Sequence, residues 1–220
     1  MRGKLIIFSG LDGAGKSTQI EILMDYLNNR GRLPKFIWTR GGYTTLFISL
    51  KNLLRKLMGE RIPPPGRNEK RERVMRSKKV QKFWLIIALL DLLRVYAFQI
   101  RFWLWSGKMV ICDRYLIDTL IDFKINFKNQ EVERWFLYKL LLWASPRPDV
   151  CFLMLIPVEE AIKRSGQKDE PFPDSPEILD KRLSMYKELS DDKNWTILDG
   201  LKCREELSFK IRQIADNLLS

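Results

Sequence analysis

The chain has 220 residues, 45% of them apolar and 30% charged, an ordinary globular balance that excludes a disordered chain, a collagen and a disulfide scaffold. Its 39 Lys and Arg against 27 Asp and Glu leave a net charge of +12, which points to anionic partners: phosphates, nucleic acid or a membrane surface. The sequence holds no histidine, so Ser-His-Asp and Cys-His hydrolases, histidine kinases and His-ligated metal centres are excluded together.

Lys4–Ser9 reads as a buried strand, and its apolar run is too short for a signal-peptide core. Ser17–Arg30 reads as a helix with Ile20, Leu23, Met24 and Leu27 on one face and Gly31 as its stop. Lys35–Thr39 reads as a second strand. Leu46–Met58 reads as a helix with Leu50, Leu53, Leu54 and Leu57 in register, ended by the break Pro63-Pro64-Pro65-Gly66. Residues 67–82 form a basic helix-period run, and 23 largely apolar residues follow, Phe83–Trp105. That length suits a membrane anchor. However, Asp91, Arg94 and Arg101 predict one polar stripe on a helix, and charges at bilayer depth are costly, so the segment reads as a core helix with no transmembrane span.

Lys108–Asp113, Asp149–Ile156 and Trp195–Asp199 read as three further strands. Glu131–Trp143, Val158–Ser165, Pro176–Leu189 and Arg204–Leu219 read as helices, with Ser175 and Pro176 as a good cap and first-turn pair. Five strands alternating with helices predict an α/β fold: a parallel five-stranded sheet with helices on both faces. Residues 1–220 read as one domain, with a small lid at about 163–176 and a basic and apolar helical segment at about 67–105. Three scattered cysteines, Cys112, Cys151 and Cys203, two of them inside apolar runs, fit a reducing compartment and a cytoplasmic setting.

Gly10 to Ser17 reads Gly-Leu-Asp-Gly-Ala-Gly-Lys-Ser, a full G-x-x-x-x-G-K-[ST] match between a predicted strand and a predicted helix. Such a loop turns successive N–H groups onto phosphate oxygens, and the helix N-terminus adds partial positive charge. Lys16 would reach the β- and γ-phosphates, and the Ser17 hydroxyl would ligate Mg²⁺.

Asp12 within the loop, Thr39-Arg40 after the second strand and Asp113-Arg114-Tyr115 after the third occur in the same order as in one family. The chain resembles the thymidylate kinase family of P-loop nucleoside monophosphate kinases, from Leu5 to about Ala215. The resemblance is dense at 5–40, 108–119 and 150–200 and weak at 41–105. It implies ATP and Mg²⁺ as cofactors, with Gly10, Gly13, Ala14, Gly15, Lys16, Ser17 and Thr18 around the ATP phosphates. It implies that Asp12 faces the acceptor sugar, that Arg40 and Arg114 hold the acceptor phosphate, that Asp113 supports the Mg²⁺ shell with Ser17, and that Arg164 lies against adenine. The position after Asp12 is Gly13, not a basic residue, so the lid would supply the catalytic cation from Lys163, Arg164 or Lys168. A homodimer through the long helix is also implied, with Phe83, Trp84, Tyr96, Trp103 and Trp105 as candidate contacts.

The base pocket departs from the family. Asp-Arg of the family's central helix is Asp91-Leu92 here, with Arg94 two residues on. The family's Ser and Tyr-Gln after Asp-Arg-Tyr are Asp118, Asp122 and Phe123, and its Glu-Pro is Gly41-Gly42. Either Phe83 and Arg94 rebuild a thymine pocket or the acceptor is another phosphorylated molecule. The leading expectation is phosphoryl transfer from ATP to a nucleoside monophosphate, dTMP to dTDP. The alternatives are a kinase on a different small phosphorylated acceptor and a nucleotide-dependent regulatory protein. Nucleic acid is not expected as a partner, because the basic run lacks aromatic platforms on strands.

Overall fold

The computed structural model describes residues 2–39, 77–166, 174–189 and 192–219, with the isolated helical positions Ser49, Asn52 and Lys56. Five strands, β1 (Leu5–Gly10), β2 (Lys35–Trp38), β3 (Val110–Asp113), β4 (Val150–Leu155) and β5 (Trp195–Asp199), form one sheet in the order β2-β3-β1-β4-β5. Every pairing is parallel: Leu5 faces Val110, Ile6 faces Val150, Lys35 faces Val110, and Cys151 faces Trp195. The helices are α1 (Lys16–Asn29), α2 (Lys78–Trp105), α3 (Leu116–Asn126), α4 (Phe136–Ala144), α5 (Val158–Gly166), α6 (Pro176–Lys187) and α7 (Arg204–Leu219).

β1 is central and buried along its whole length, which is why it reads as an unbroken apolar run. Its side chains alternate between two cores. Ile6 and Phe8 pack with α1, α6 and α7 through residues such as Leu23, Leu183 and Ile211. Leu5 and Ile7 pack with α2 and α4 through Leu89, Tyr96 and Leu141. The sheet therefore carries helices on both faces, as expected, and the C-terminal ends of β1, β3 and β4 open onto the loop that precedes α1.

The structure departs from the sequence expectations in four places. The helix expected over Glu131–Trp143 is two pieces, a 3-10 turn at Val132–Arg134 and α4, separated by Trp135 in extended backbone. The apolar period runs through both pieces and so cannot show the break. The segment between β3 and that turn holds α3, which the apolar pattern does not reveal because Asp118 and Asp122 lie on its buried face.

In α2, residues Arg94–Ile100 form a π-helical segment. The polar stripe expected on a regular helix is broken there: Asp91 pairs with Arg94, whereas Arg101 donates to the Ala97 and Ala144 carbonyls. Trp84 and Tyr96 are core residues, so the exposed aromatics of α2 are Phe83, Phe98, Phe102 and Trp105. By length and composition α2 could cross a bilayer, yet half of its most apolar window is buried inside the fold. The helix expected at Leu46–Met58, apart from three positions, and the basic run before Ser77 lie outside the described residues.

Candidate active site

The loop between β1 and α1 is shaped by close backbone approach. Gly10 has φ +134°, and a Cβ there would sit 2.2 Å from the Met154 carbonyl oxygen on β4. Gly13 has φ +82°, and a Cβ would lie 3.1 Å from the Ala161 carbonyl oxygen and 3.3 Å from Arg164 Cβ on α5. The packing of α5 against the loop thus explains why no basic side chain stands at that position.

Lys16 opens α1 and is 5% exposed, and its Nζ donates to the Gly10 and Leu11 carbonyls at 3.0 and 2.8 Å. Burial lowers its pKa, the neighbouring Arg114 charge lowers it further, and Asp12, Asp113 and Asp118 act in the opposite sense. Ser17 is exposed beside it.

Asp113 ends β3. Burial pushes its carboxyl up, while Lys16 and Arg114 pull it down. Its buried Oδ1 has no hydrogen-bond partner among the described residues. A buried carboxylate oxygen without a partner, within electrostatic reach of the Lys16 that precedes the Ser17 hydroxyl, is the kind of oxygen donor that Mg²⁺ takes.

Arg114 follows with φ +74°, left-handed backbone for a non-glycine residue. Its N–H donates to the Phe8 carbonyl at 2.8 Å. Its guanidinium is buried, with Nη2 on the Asp12 carboxylate and Nη1 3.8 Å from Asp118. Burial opposes the charge, but Asp12, then Tyr186, Asp118 and Asp122, raise the Arg114 pKa well above its ordinary value.

Behind Arg114 lies a polar network on residues outside the loop motif. The Asp118 carboxylate, 1% exposed, accepts from Ser9 Oγ at 2.6 Å, Tyr186 OH at 2.6 Å and the Tyr115 N–H at 2.9 Å. One helical turn further along α3, Asp122 meets Arg182 of α6 at 2.5 Å. Arg182 Nε also donates to Asp174 at 2.9 Å. Two rungs therefore tie α3 to α6. In the sequence Asp118 and Asp122 stand out only as departures from the family. Tyr186 and Arg182 sit at ordinary helix positions and gave no signal.

The structure brings Lys16, Asp12, Asp113 and Arg114 together. Arg164 reaches the same loop from α5: it pairs with Glu160 at 2.6 Å and donates to the carbonyls of Gly13 at 3.3 Å and Gly200 at 3.1 Å. Lys163 is largely exposed and lies 3.9 Å from Glu160.

Phe83 packs edge-on to Trp84, and Arg94 pairs with Asp91 at 3.2 Å. Among the described residues neither shows a hydrogen bond, ion pair or ring contact with the loop or Arg114. Phe123 and Leu92 are buried in the core on the α2 side of the sheet. Arg40 and Lys168 lie outside the described residues.

The sequence model of the family described as thymidylate kinase matches residues 8–211. A thymidylate kinase of Desulfotalea psychrophila is 30% identical over 86% of this chain and 82% of its own length. One of Prochlorococcus marinus is 27% identical over 100% of this chain and 99% of its own length. Among solved structures, a thymidylate kinase from Candida albicans superposes with a TM-score of 0.65 at 22% identity, covering 98% of this chain and 92% of that one. That likeness speaks to the fold, and the sequence matches speak to descent. With the loop motif and sheet order in place and the family model matching most of the chain, the chain belongs to the thymidylate kinase family, nucleoside monophosphate kinases that make dTDP from dTMP and ATP.

Proposed function

We propose that the protein moves the γ-phosphoryl group of ATP onto the phosphate of dTMP, with Lys16 and Arg114 as the cations on either side of the transfer. An oxygen of the acceptor phosphate forms the new P–O bond, the bond to the β,γ-bridging oxygen breaks, and ADP leaves. Phosphoryl transfer needs alignment and neutralised charge more than covalent help. The single observation that carries the reading is the placement of Arg114. Its guanidinium is dry, faces the loop carboxylate Asp12, and stands at the C-terminal end of β3, where open α/β sheets bind ligands.

Lys16 would leave the Gly10 and Leu11 carbonyls for the β- and γ-phosphates, a better-charged partner at the same helix N-terminus. Gly13, Ala14, Gly15 and Thr18 would complete the ATP phosphate cradle. Asp12, released from Arg114 as the acceptor phosphate takes over that cation, would face the acceptor sugar. Ser17 and Asp113 would hold Mg²⁺, which when bound neutralises phosphate charge. Arg164, pinned across the loop, would border the adenine. Lys163 and Lys168 remain the other lid candidates for the cation that meets the transferring phosphoryl group, and Arg40 is a second acceptor-phosphate candidate.

A second reading keeps this chemistry and changes the acceptor. Asp122 and Phe123 stand where the resemblance would put Tyr-Gln, and Asp122 is engaged by Arg182. A pocket that lacks a neutral reader loses discrimination for the base that reader contacts. Phe83 and Arg94 would serve thymine only from their surface positions on α2.

We also propose a cytoplasmic homodimer. Phe83, Leu90, Phe98, Phe102 and Trp105 line an exposed apolar face of α2, which a second copy would cover. An ADP-release assay with dTMP, dUMP, UMP, CMP, AMP and GMP, and Lys16→Ala as control, tests the reading. Turnover on dTMP that the control abolishes supports it. ATP binding without turnover on any of the six sinks it.

A further inference from the structure

Arg114 holds a left-handed backbone, φ +74°, that non-glycine residues rarely adopt. Two hydrogen bonds to its backbone groups fix it. Its N–H donates to Phe8 on β1, and its carbonyl accepts from Thr39 Oγ1 at 3.0 Å. A carbonyl can only accept, so the Thr39 hydroxyl proton is committed to Arg114. The Tyr96 hydroxyl lies 2.8 Å from the same Thr39 oxygen. With the Thr39 proton spent, Tyr96 is the donor to Thr39, and Thr119 Oγ1, 3.5 Å from the same phenol, is its longer second contact. The chain therefore runs one way: Tyr96 O–H to Thr39 Oγ1, Thr39 O–H to the Arg114 carbonyl.

Three further observations single out Tyr96. It is fully buried, its ring packs at 4.5 Å against Tyr115, and burial pushes its phenol far up, so its proton stays in place. It comes from the π-helical segment of α2, a deviation that re-aims side chains and is frequent at functional sites. It also acts on the backbone, unlike Asp12 and Asp118, which hold the guanidinium. An acceptor phosphate would compete with Asp12 for that guanidinium, but it has no means of competing for the carbonyl.

We propose that Tyr96, acting through Thr39, is a positioning residue that holds the Arg114 backbone in the conformation aiming its guanidinium at the acceptor phosphate. This rests on the acceptor-phosphate role given to Arg114 above. The test is steady-state kinetics with dTMP and ATP on Tyr96→Phe, Thr39→Val and Thr39→Ser, with Arg114→Gln alongside and melting curves to check folding. Tyr96→Phe loses the bond to Thr39 and Thr39→Val loses both bonds of the chain, which predicts a dTMP KM raised about 5–20-fold in each. The ATP KM should stay within about twofold, and Thr39→Ser, which keeps the hydroxyl, should stay near wild type on both. A dTMP KM that is unchanged in Tyr96→Phe and Thr39→Val but raised in Arg114→Gln overturns the inference and leaves Arg114 its role. A dTMP KM unchanged in Arg114→Gln overturns the role and the inference together.

Discussion

Arg182→Met removes the guanidinium that Asp122 and Asp174 share in a dry site. The Arg182 side chain is 3% exposed, with Asp122 at 6% and Asp174 at 13%, and its two contacts are 2.5 and 2.9 Å. Removing one member of a buried ion cluster typically costs about 3–5 kcal/mol, because the balance of buried charge is lost. A domain is stabilised by only about 5–15 kcal/mol in total. At about 2–4 °C per kcal/mol for a chain of this size, the variant should melt about 6–20 °C lower. Replacing the whole cluster, Arg182→Met with Asp122→Leu and Asp174→Leu, should recover most of that loss, since apolar replacement of buried ionic groups is often neutral or better. Calorimetry at neutral pH reads both. A single variant that melts within about 2 °C of wild type would refute the dry cluster. A triple variant no better than the single would show that lost packing, not unbalanced charge, is responsible.

Other outcomes follow from the loop and its neighbours. Lys16→Ala should lower kcat by roughly 100–1000-fold on the acceptor that turns over, read by initial rates, as removal of one preorganised cation does elsewhere. The Lys16 pKa is lowered from 10.5 in the folded protein, first by burial. Between the lowered value and 10.5 the unfolded chain binds the extra proton, so stability rises with pH across that window. The difference in urea midpoint between wild type and Lys16→Met should therefore move in favour of wild type as pH rises there, while wild-type activity falls. The Asp113 pKa is raised from 3.8, first by burial. Its charged form costs stability above that window, so Asp113→Asn should melt at or above the wild-type temperature at neutral pH while needing far more Mg²⁺ for half-maximal rate. Phe98 and Phe102 are 69% and 65% exposed on one face of α2. Charging both, Phe98→Asp with Phe102→Asp, should convert a dimer to a monomer in sedimentation, and an unchanged mass would refute the interface.

What the sequence shows of this fold depends on which physical signal governs each segment. β1, β3 and β4 are buried on both faces, so apolar runs betray them. The loop is legible because glycines at close backbone approaches cannot be replaced, as the 2.2 Å Cβ contact at Gly10 shows. Lys16 is legible from the loop motif itself, whereas Asp12, Asp113 and Arg114 are picked out by the family resemblance. α3 resists that logic. Its buried face carries Asp118 and Asp122, and a pattern read from hydrophobicity treats buried carboxylates as solvent-facing. Their partners are distant in sequence: Ser9 and Tyr186 for one, Arg182 for the other. Nothing local announces them. The π-helical segment of α2 is hidden for a related reason, since its composition is that of the α-helix around it.

These blind spots share a cause. The two carboxylates that disguise α3 stand where the resemblance would put neutral Ser and Tyr side chains. Each is compensated by α6, Asp118 by the Tyr186 hydroxyl and Asp122 by the Arg182 guanidinium one turn away. A buried carboxylate is tolerable only with such partners. The change on α3 therefore implies its complement on α6, and the two helices have to be read as one unit. Arg114 lies against that unit, with Asp118 3.8 Å from its Nη1. Asp118 touches Arg114 directly, whereas it reaches the Lys16 side of the site only through charge and through its bond to Ser9 at the end of β1. A substitution on α3 or α6 should accordingly alter acceptor affinity before it alters ATP affinity. Asp118→Asn makes the cleanest case: it keeps an acceptor for Ser9 and for the Tyr115 N–H, removes the charge facing Arg114, and should raise the dTMP KM several-fold at an unchanged ATP KM. Equal effects on both substrates would mean that the two sides of the site are not separable in this way.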